Sequence, residues 1–279
     1  MRILSAQAVE AAVTRLFLAC KSRIRPDVEA ALSRAYQAER HEPARWALEQ
    51  LLDNLRIARE DGVATCQDTG MATVFADVGQ EVFIDGDFHE AVQRGVRAAY
   101  AQGMRKSIVD DALFTRVNTQ DNTPAVLHTQ LVPGDKLHLE VAAKGFGSEN
   151  MSAVAMLAPS DGVEGITRFV VESVRKAGSN PCPPIVLGVG IGGNFETVAL
   201  MAKRATLLPL DGAHPDARYA ALEGDLLARV NALGIGAAGL GGDTTALGLR
   251  ILSAPTHIAG MPCALCVCCH AARHASEVL

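Results

Sequence analysis

The 279-residue sequence has no apolar run of the roughly 18 residues that a membrane-spanning helix needs. The apolar part of Met1-Arg2-Ile3-Leu4-Ser5 is too short for a secretory signal, so a cytoplasmic location is expected. No block of lysine or arginine occurs and the net charge is −5, which argues against nucleic acid or an anionic membrane as the main partner. There is no internal repeat, low-complexity tract or linker, so residues 1–279 are expected to form one domain. The cysteines at 20, 66, 182, 263, 266, 268 and 269 are odd in number and unevenly spaced. In a reducing compartment that set points to reactive or metal-binding thiols rather than to a disulfide framework. What is present is a hydrophobic content of 49% against 20% charged, enough for a substantial core.

One short stretch, Thr65-Cys66-Gln67-Asp68-Thr69-Gly70, stands out. It places a thiol, an amide, a carboxylate and a hydroxyl on consecutive residues, then a glycine at which the backbone can turn. Four adjacent polar or reactive side chains cannot all face a core, although a lone cysteine is usually a small buried hydrophobe. Helical spacing of Val9, Val13, Leu16, Phe17 and Cys20 predicts a helix over 5–22, capped by Ser5, with Cys20 in the core. Further helices are expected at about 26–40, from Pro43 to about 60, at 88–103, 162–177 and 194–206, and at 215–233. Strand formers predict extended chain over 71–84, 125–132, 136–143 and 185–193. Arg105 lies in a basic turn after one helix, a common place for a solvent-facing cation. Lys144-Gly145-Phe146-Gly147 could point backbone N–H groups at an anion, or be an ordinary flexible turn.

Two patterns compete for a cofactor. Gly188-Val189-Gly190-Ile191-Gly192-Gly193 lies between a strand and a helix and matches the dinucleotide fingerprint, with Asp211 at a suitable distance. A second loose match over 234–239, in a chain with 25 glycines, favours glycine richness over a nicotinamide site. Cys263, Cys266, Cys268 and Cys269 suggest structural zinc, but they crowd into one apolar, extended segment whose side chains alternate between faces. The rival set is Cys66, Cys182 (fixed between prolines) and one C-terminal cysteine. Three thiolates can hold a [4Fe–4S] cluster and leave one iron without a protein ligand, as a Lewis acid.

Six stretches occur in order: Cys66-Gln67-Asp68-Thr69-Gly70, Asn122-Thr123-Pro124-Ala125, Lys144-Gly145-Phe146-Gly147-Ser148-Glu149-Asn150, Cys182-Pro183-Pro184, Pro255-Thr256-His257-Ile258-Ala259-Gly260 and Cys269-His270-Ala271-Ala272-Arg273-His274. Together they resemble the α subunit of two-subunit class I (iron–sulfur) fumarate hydratases and, more distantly, tartrate dehydratases, over nearly the whole chain from about residue 40. The resemblance implies a mixed α/β (α+β) fold of helices around β-sheets, of the class I fumarase N-terminal-domain type. It implies a [4Fe–4S] cluster on Cys66, Cys182 and Cys269, with Cys268 an alternative third ligand, since cysteines also stand at 263, 266 and 268 where apolar or small residues are expected. It further implies substrate contacts from Gln67, Arg105, Gly145, Gly147 and His257, and a proton-transfer role for Asp68. The implied reaction is reversible hydration of fumarate to malate, completed by a separate β subunit in an α2β2 assembly. A tartrate dehydratase subunit would share the chemistry on another dicarboxylate.

Overall fold

A computed structural model describes residues 1–279. In chain order the elements are β1 (Arg2–Ser5), α1 (Ala6–Ser22), α2 (Pro26–Ala38), α3 (Glu42–Asp61), β2 (Met71–Gly79), β3 (Val82–Asp85), α4 (Phe88–Tyr100), β4 (Val126–Val132), β5 (Leu137–Lys144), α5 (Phe146–Glu149) and β6 (Ala153–Leu157). Then follow α6 (Gly162–Ala177), β7 (Ile185–Gly193), α7 (Phe195–Ala205), α8 (Ala217–Asn231), β8 (Ala246–Thr256), β9 (Met261–Cys268) and β10 (His274–Val278). The fold is mixed α/β, as the resemblance implies. No helix is long and apolar enough to cross a membrane.

The elements fall into two compact units whose segments alternate along the chain, so no contiguous linker marks a boundary. The first comprises Met1–Arg25, Asn54–Phe146 and Ala271–Leu279. Its main sheet has the order β10-β5-β2-β4, with β5 antiparallel to both neighbours and β4 parallel to β2. Leu137, Leu139 and Val141 alternate along β5 and are fully buried with Val9, Val13 and Phe17 of α1 and Val92, Val96 and Tyr100 of α4. Ser5 caps α1 by accepting from Ala8 N–H at 3.2 Å, and Asp87 caps α4 by accepting from Glu90 N–H at 2.9 Å. The two helices cross closely, because a Cβ on Gly95 would lie 2.7 Å from Val13 Cβ.

The second unit comprises Pro26–Asp53 and Gly147–His270. Its sheet has the order β6-β9-β7-β8, with β7 parallel to β8 and antiparallel to β9. Ile185, Leu187, Val189 and Ile191 of β7 share a buried cluster with Ile166 and Val170 of α6 and Leu226 and Val230 of α8. The intervening Gly188 and Gly190 face α7: added Cβ atoms would lie 2.1 Å from Ala202 O and 2.3 Å from Val198 O. The fingerprint glycines are therefore the contact that lets a helix backbone rest on a strand. Asn194 caps α7, accepting from Thr197 N–H at 2.9 Å.

Candidate active site

In the first unit the loop after α3 is tied down at every step. Thr65 N–H donates to Lys21 O at 3.0 Å, and Asn54 Nδ2–H donates to Thr65 O at 2.9 Å. Cys66 follows, half-buried, its Sγ 3.5 Å from Gln67 Oε1, while Gln67 is exposed. The Asp68 carboxylate is held by both oxygens: Oδ1 accepts from Gly70 N–H at 2.9 Å and Oδ2 from Phe146 N–H at 2.8 Å. Thr69 Oγ1–H donates to Arg105 O at 2.6 Å, which brings the Arg105 turn against the cysteine loop. The buried Tyr100 hydroxyl reaches Thr69 O and Gly70 O at 2.9 and 3.0 Å. Asn122 closes the arrangement, donating through Nδ2 to Gly70 O at 3.2 Å and accepting from Ser107 N–H at 2.8 Å. Gly70 has φ +82°, and a Cβ there would sit 2.7 Å from Ala143 C, so this turn requires glycine.

Arg273 completes this group. It is 3% exposed, donates from Nη1 to Asp68 O at 2.6 Å, and its buried Nε has no hydrogen-bond partner. A Cβ on Gly145 would lie 3.1 Å from Asp68 Oδ2 and 3.4 Å from Arg273 Nη2, so Gly145 lines the same spot. The first unit thus brings together Cys66, Gln67, Asp68, Arg105 and Gly145. It adds Tyr100, Asn122 and Arg273, to which the sequence reading assigned no role. The sequence signal for Arg273 is a lone guanidinium following the small pair Ala271-Ala272, a context in which a charge is retained only with partners.

In the second unit Cys182 precedes β7 and is exposed, with φ +55°. Its N–H donates to Ser179 O at 3.1 Å. Its carbonyl accepts from His270 Nδ1–H at 3.0 Å, which requires the proton on Nδ1. Because Val186 pairs with Cys268, the end of β9 lies beside the start of β7, and Cys182 and Cys269 share one end of the sheet. Gly147 belongs to that end, since a Cβ on it would lie 3.6 Å from Asn180 O. His257 does not. It is exposed in the turn after β8, and Thr256 pairs with Gly193 at the other end of β7. The nine residues of β7 put about 26 Å between its ends, eight steps of about 3.3 Å.

The C-terminal cysteines separate by strand alternation. Cys263 packs with Leu265 and Val267 in the α6–α8 core, whereas Cys266 packs with Val198 and Ala202 of α7 on the opposite face. They cannot converge on one ion. Burial pushes the Cys263 thiol up to about 12. Of the seven cysteines, Cys20, Cys263, Cys266 and Cys268 are buried, Cys66 and Cys269 are half-buried, and Cys182 is exposed. The accessible thiols are therefore the three the resemblance names, and thiolate is the donor that selects iron–sulfur groups. Thiolates are the donor type such a cluster takes, and no group of three His, Cys, Asp or Glu side chains is placed to hold a single metal ion.

The family model described as "Fumarate hydratase (Fumerase)" matches residues 10–278. The chain belongs to this family. Among its relatives, the "Putative L(+)-tartrate dehydratase subunit alpha" of Methanocaldococcus jannaschii is 39% identical over 271 residues, covering 94% of each chain. The "L(+)-tartrate dehydratase subunit alpha" proteins of Escherichia coli (strain K12) and Shigella sonnei are each 32% identical over 257 residues, covering 90% of this chain and 84% of theirs. The family match and these relatives extend over both units.

Proposed function

We propose that this chain is the α subunit of an iron–sulfur hydro-lyase that adds water to, or removes it from, a four-carbon dicarboxylate. The observation that carries the reading is that the three cysteines outside the buried set are Cys66, Cys182 and Cys269. In this reading their thiolates hold a [4Fe–4S] cluster, which when bound supplies a Lewis acid for the substrate hydroxyl and carboxylate.

The chain's own residues do the rest. Arg105 offers a planar fork matched to a substrate carboxylate. Gln67, exposed beside Cys66, offers an amide that can donate to or accept from the substrate hydroxyl. Gly145 and Gly147, lacking side chains, are the proposed backbone contacts for the substrate anion. Asp68 is the proton-transfer group: each oxygen accepts one backbone N–H, which fixes its plane and leaves further lone pairs for a proton. Arg273 holds the Asp68 backbone and places positive charge next to the carboxylate. His257, exposed in the turn at the other end of β7, is the remaining proposed substrate contact.

Two substrates are supported by different observations. The family description and the Asn122–Ala125 and Lys144–Asn150 stretches favour fumarate hydration, while the relatives' names favour dehydration of L(+)-tartrate. The relatives are named as α subunits, which supports a separate β subunit as partner, and an α2β2 assembly is the expected stoichiometry. The test is anaerobic reconstitution followed by iron and sulfide analysis, comparing the parent chain with Cys66→Ser, Cys182→Ser and Cys269→Ser. About four irons and four sulfides per chain are expected in the parent, with each variant losing the cluster. Assay with a β partner on fumarate and on L(+)-tartrate then assigns the substrate. Zinc without sulfide, or a cluster indifferent to Cys66 and Cys182, overturns the reading.

A further inference from the structure

Glu39 is a buried carboxylate with no part in the chemistry above. It is 2% exposed and lies between α2 and α3 of the second unit. Its Oε1 accepts from the N–H groups of Arg40, His41 and Asp243 at 3.1, 3.0 and 3.1 Å. Its Oε2 accepts from Asp243 and Thr244 N–H at 2.9 and 3.2 Å. A buried carboxylate is tolerated when backbone N–H groups satisfy it in this way, and such charge-assisted bonds are stronger than neutral ones.

Two of those donors belong to the glycine-rich segment 236–245, which runs from Glu39 to the Cys182 loop. At the Glu39 end, Gly242 has φ +116°, and a Cβ on it would lie 2.9 Å from both carboxylate oxygens and 2.7 Å from Ala44 Cβ. Arg40 adds a fork to the Asp243 carboxylate, 2.9 Å from Nε. At the other end Ala238 N–H donates to Pro183 O at 2.8 Å, one residue from Cys182. Gly239 has φ +77°, and a Cβ on it would meet Ser179 Cβ at 2.4 Å, while Ser179 O is the acceptor for Cys182 N–H at 3.1 Å. Thr245 O accepts from Ile185 N–H at 2.9 Å, so the segment also ties in the first residue of β7. Cys182 is thus gripped on both sides by one strap, and the strap is anchored on one carboxylate.

We infer that Glu39 is a positioning residue for the Cys182 thiol, acting through the 236–245 strap. Its relevance to catalysis rests on Cys182 being a cluster ligand, as proposed above, but the positioning itself does not. Glu39→Gln separates these points. The amide must turn an NH2 toward one set of N–H donors, so either Thr244 of the strap or the Arg40–His41 turn that holds Glu39 loses its acceptor while side-chain size is kept.

The experiment is iodoacetamide labelling of the cluster-free full chain, with peptide mass spectrometry following Cys182 and Cys66 separately and a thermal melt recorded for each variant. Glu39→Gln is expected to change the Cys182 alkylation rate by about fivefold or more, on the order of one lost hydrogen bond, with the Cys66 rate unchanged. Gly239→Ala acts at the Ser179 end and is expected to change the same rate, which keeps the test available should Glu39→Gln not fold. An unaltered Cys182 rate in a folded variant overturns the inference. So does an equal change at Cys66, which would mark general loosening. Because no cluster is present, either result stands whether or not Cys182 later proves to be a ligand. Iron loading of the same variants tests the catalytic consequence.

Discussion

Cys20 and Cys263 lie in the apolar cores of their respective units, and burial pushes each thiol from its ordinary value of 9.0 up to about 12. For Cys20 the positive charge of Arg273 partly opposes that rise. Removing either thiol's proton inside the core places an unsolvated charge there, whereas the unfolded chain ionises freely. The sign follows: above pH 9 the unfolded state binds fewer protons than the native one, so stability falls as pH rises. This contribution is intact below about pH 9 and is lost progressively between about 9 and 12. Urea unfolding at pH 7, 9 and 10.5 is expected to show a falling midpoint in the parent chain and a shallower fall in Cys20→Ala,Cys263→Ala. Parallel curves for the two proteins would show that the buried thiols do not control the alkaline limb.

The strand β7 and the helix α7 show what pattern reading can and cannot decide. The residues Gly188 to Gly193 fit a nucleotide turn and a close strand–helix contact equally well in one dimension. The second is realised, because carbonyls of α7 fill the space a side chain would need. Gly188→Ala and Gly190→Ala are therefore expected to destabilise the chain by about 1–3 kcal/mol through overpacking, read as a lower denaturant midpoint with the secondary structure retained. A change below about 0.5 kcal/mol, typical of surface sites, would mean the helix can step back at little cost. The long helices were readable because their apolar stripes repeat locally, and β2, β5 and β7 because they are rich in branched residues. Four strands have no counterpart in the sequence pattern: the eleven-residue β8 and three short ones. β1, β6 and β10 have only four or five residues each, and β10 is defined by pairing with β5, about 130 residues earlier. The thiols and Asp68 could be picked out from local chemistry. Tyr100 and Asn122 could not, since they act on backbone groups 31 and 52 residues away, and Glu39 could not, since its strap partners lie 204 and 205 residues away.

At the scale of the molecule, the first unit is built from three separated stretches, and its last stretch does two jobs. It adds β10 alongside β5, with His274 opposite Ala142 and Val278 opposite His138, and it delivers Arg273 to Asp68. Deleting residues 271–279 would turn β5 into an open sheet edge, the form of strand most prone to pair with other chains. The truncated chain is expected to be recovered largely as aggregate and to lose a cooperative melt, assayed by size-exclusion chromatography and far-UV circular dichroism. A monomeric truncation with the parent melting midpoint would show that β10 is dispensable.

The same interleaving imposes a timetable on the ribosome. α1 is complete at Ser22 and can dock on α4 early, but the sheet beneath it closes only when β10 ends at Val278. At about 5–20 residues per second, the roughly 250 intervening residues take on the order of 10–50 s. From the completion of β5 at Lys144 until the last strand arrives, the early-made core depends on whatever shields the open edge of β5.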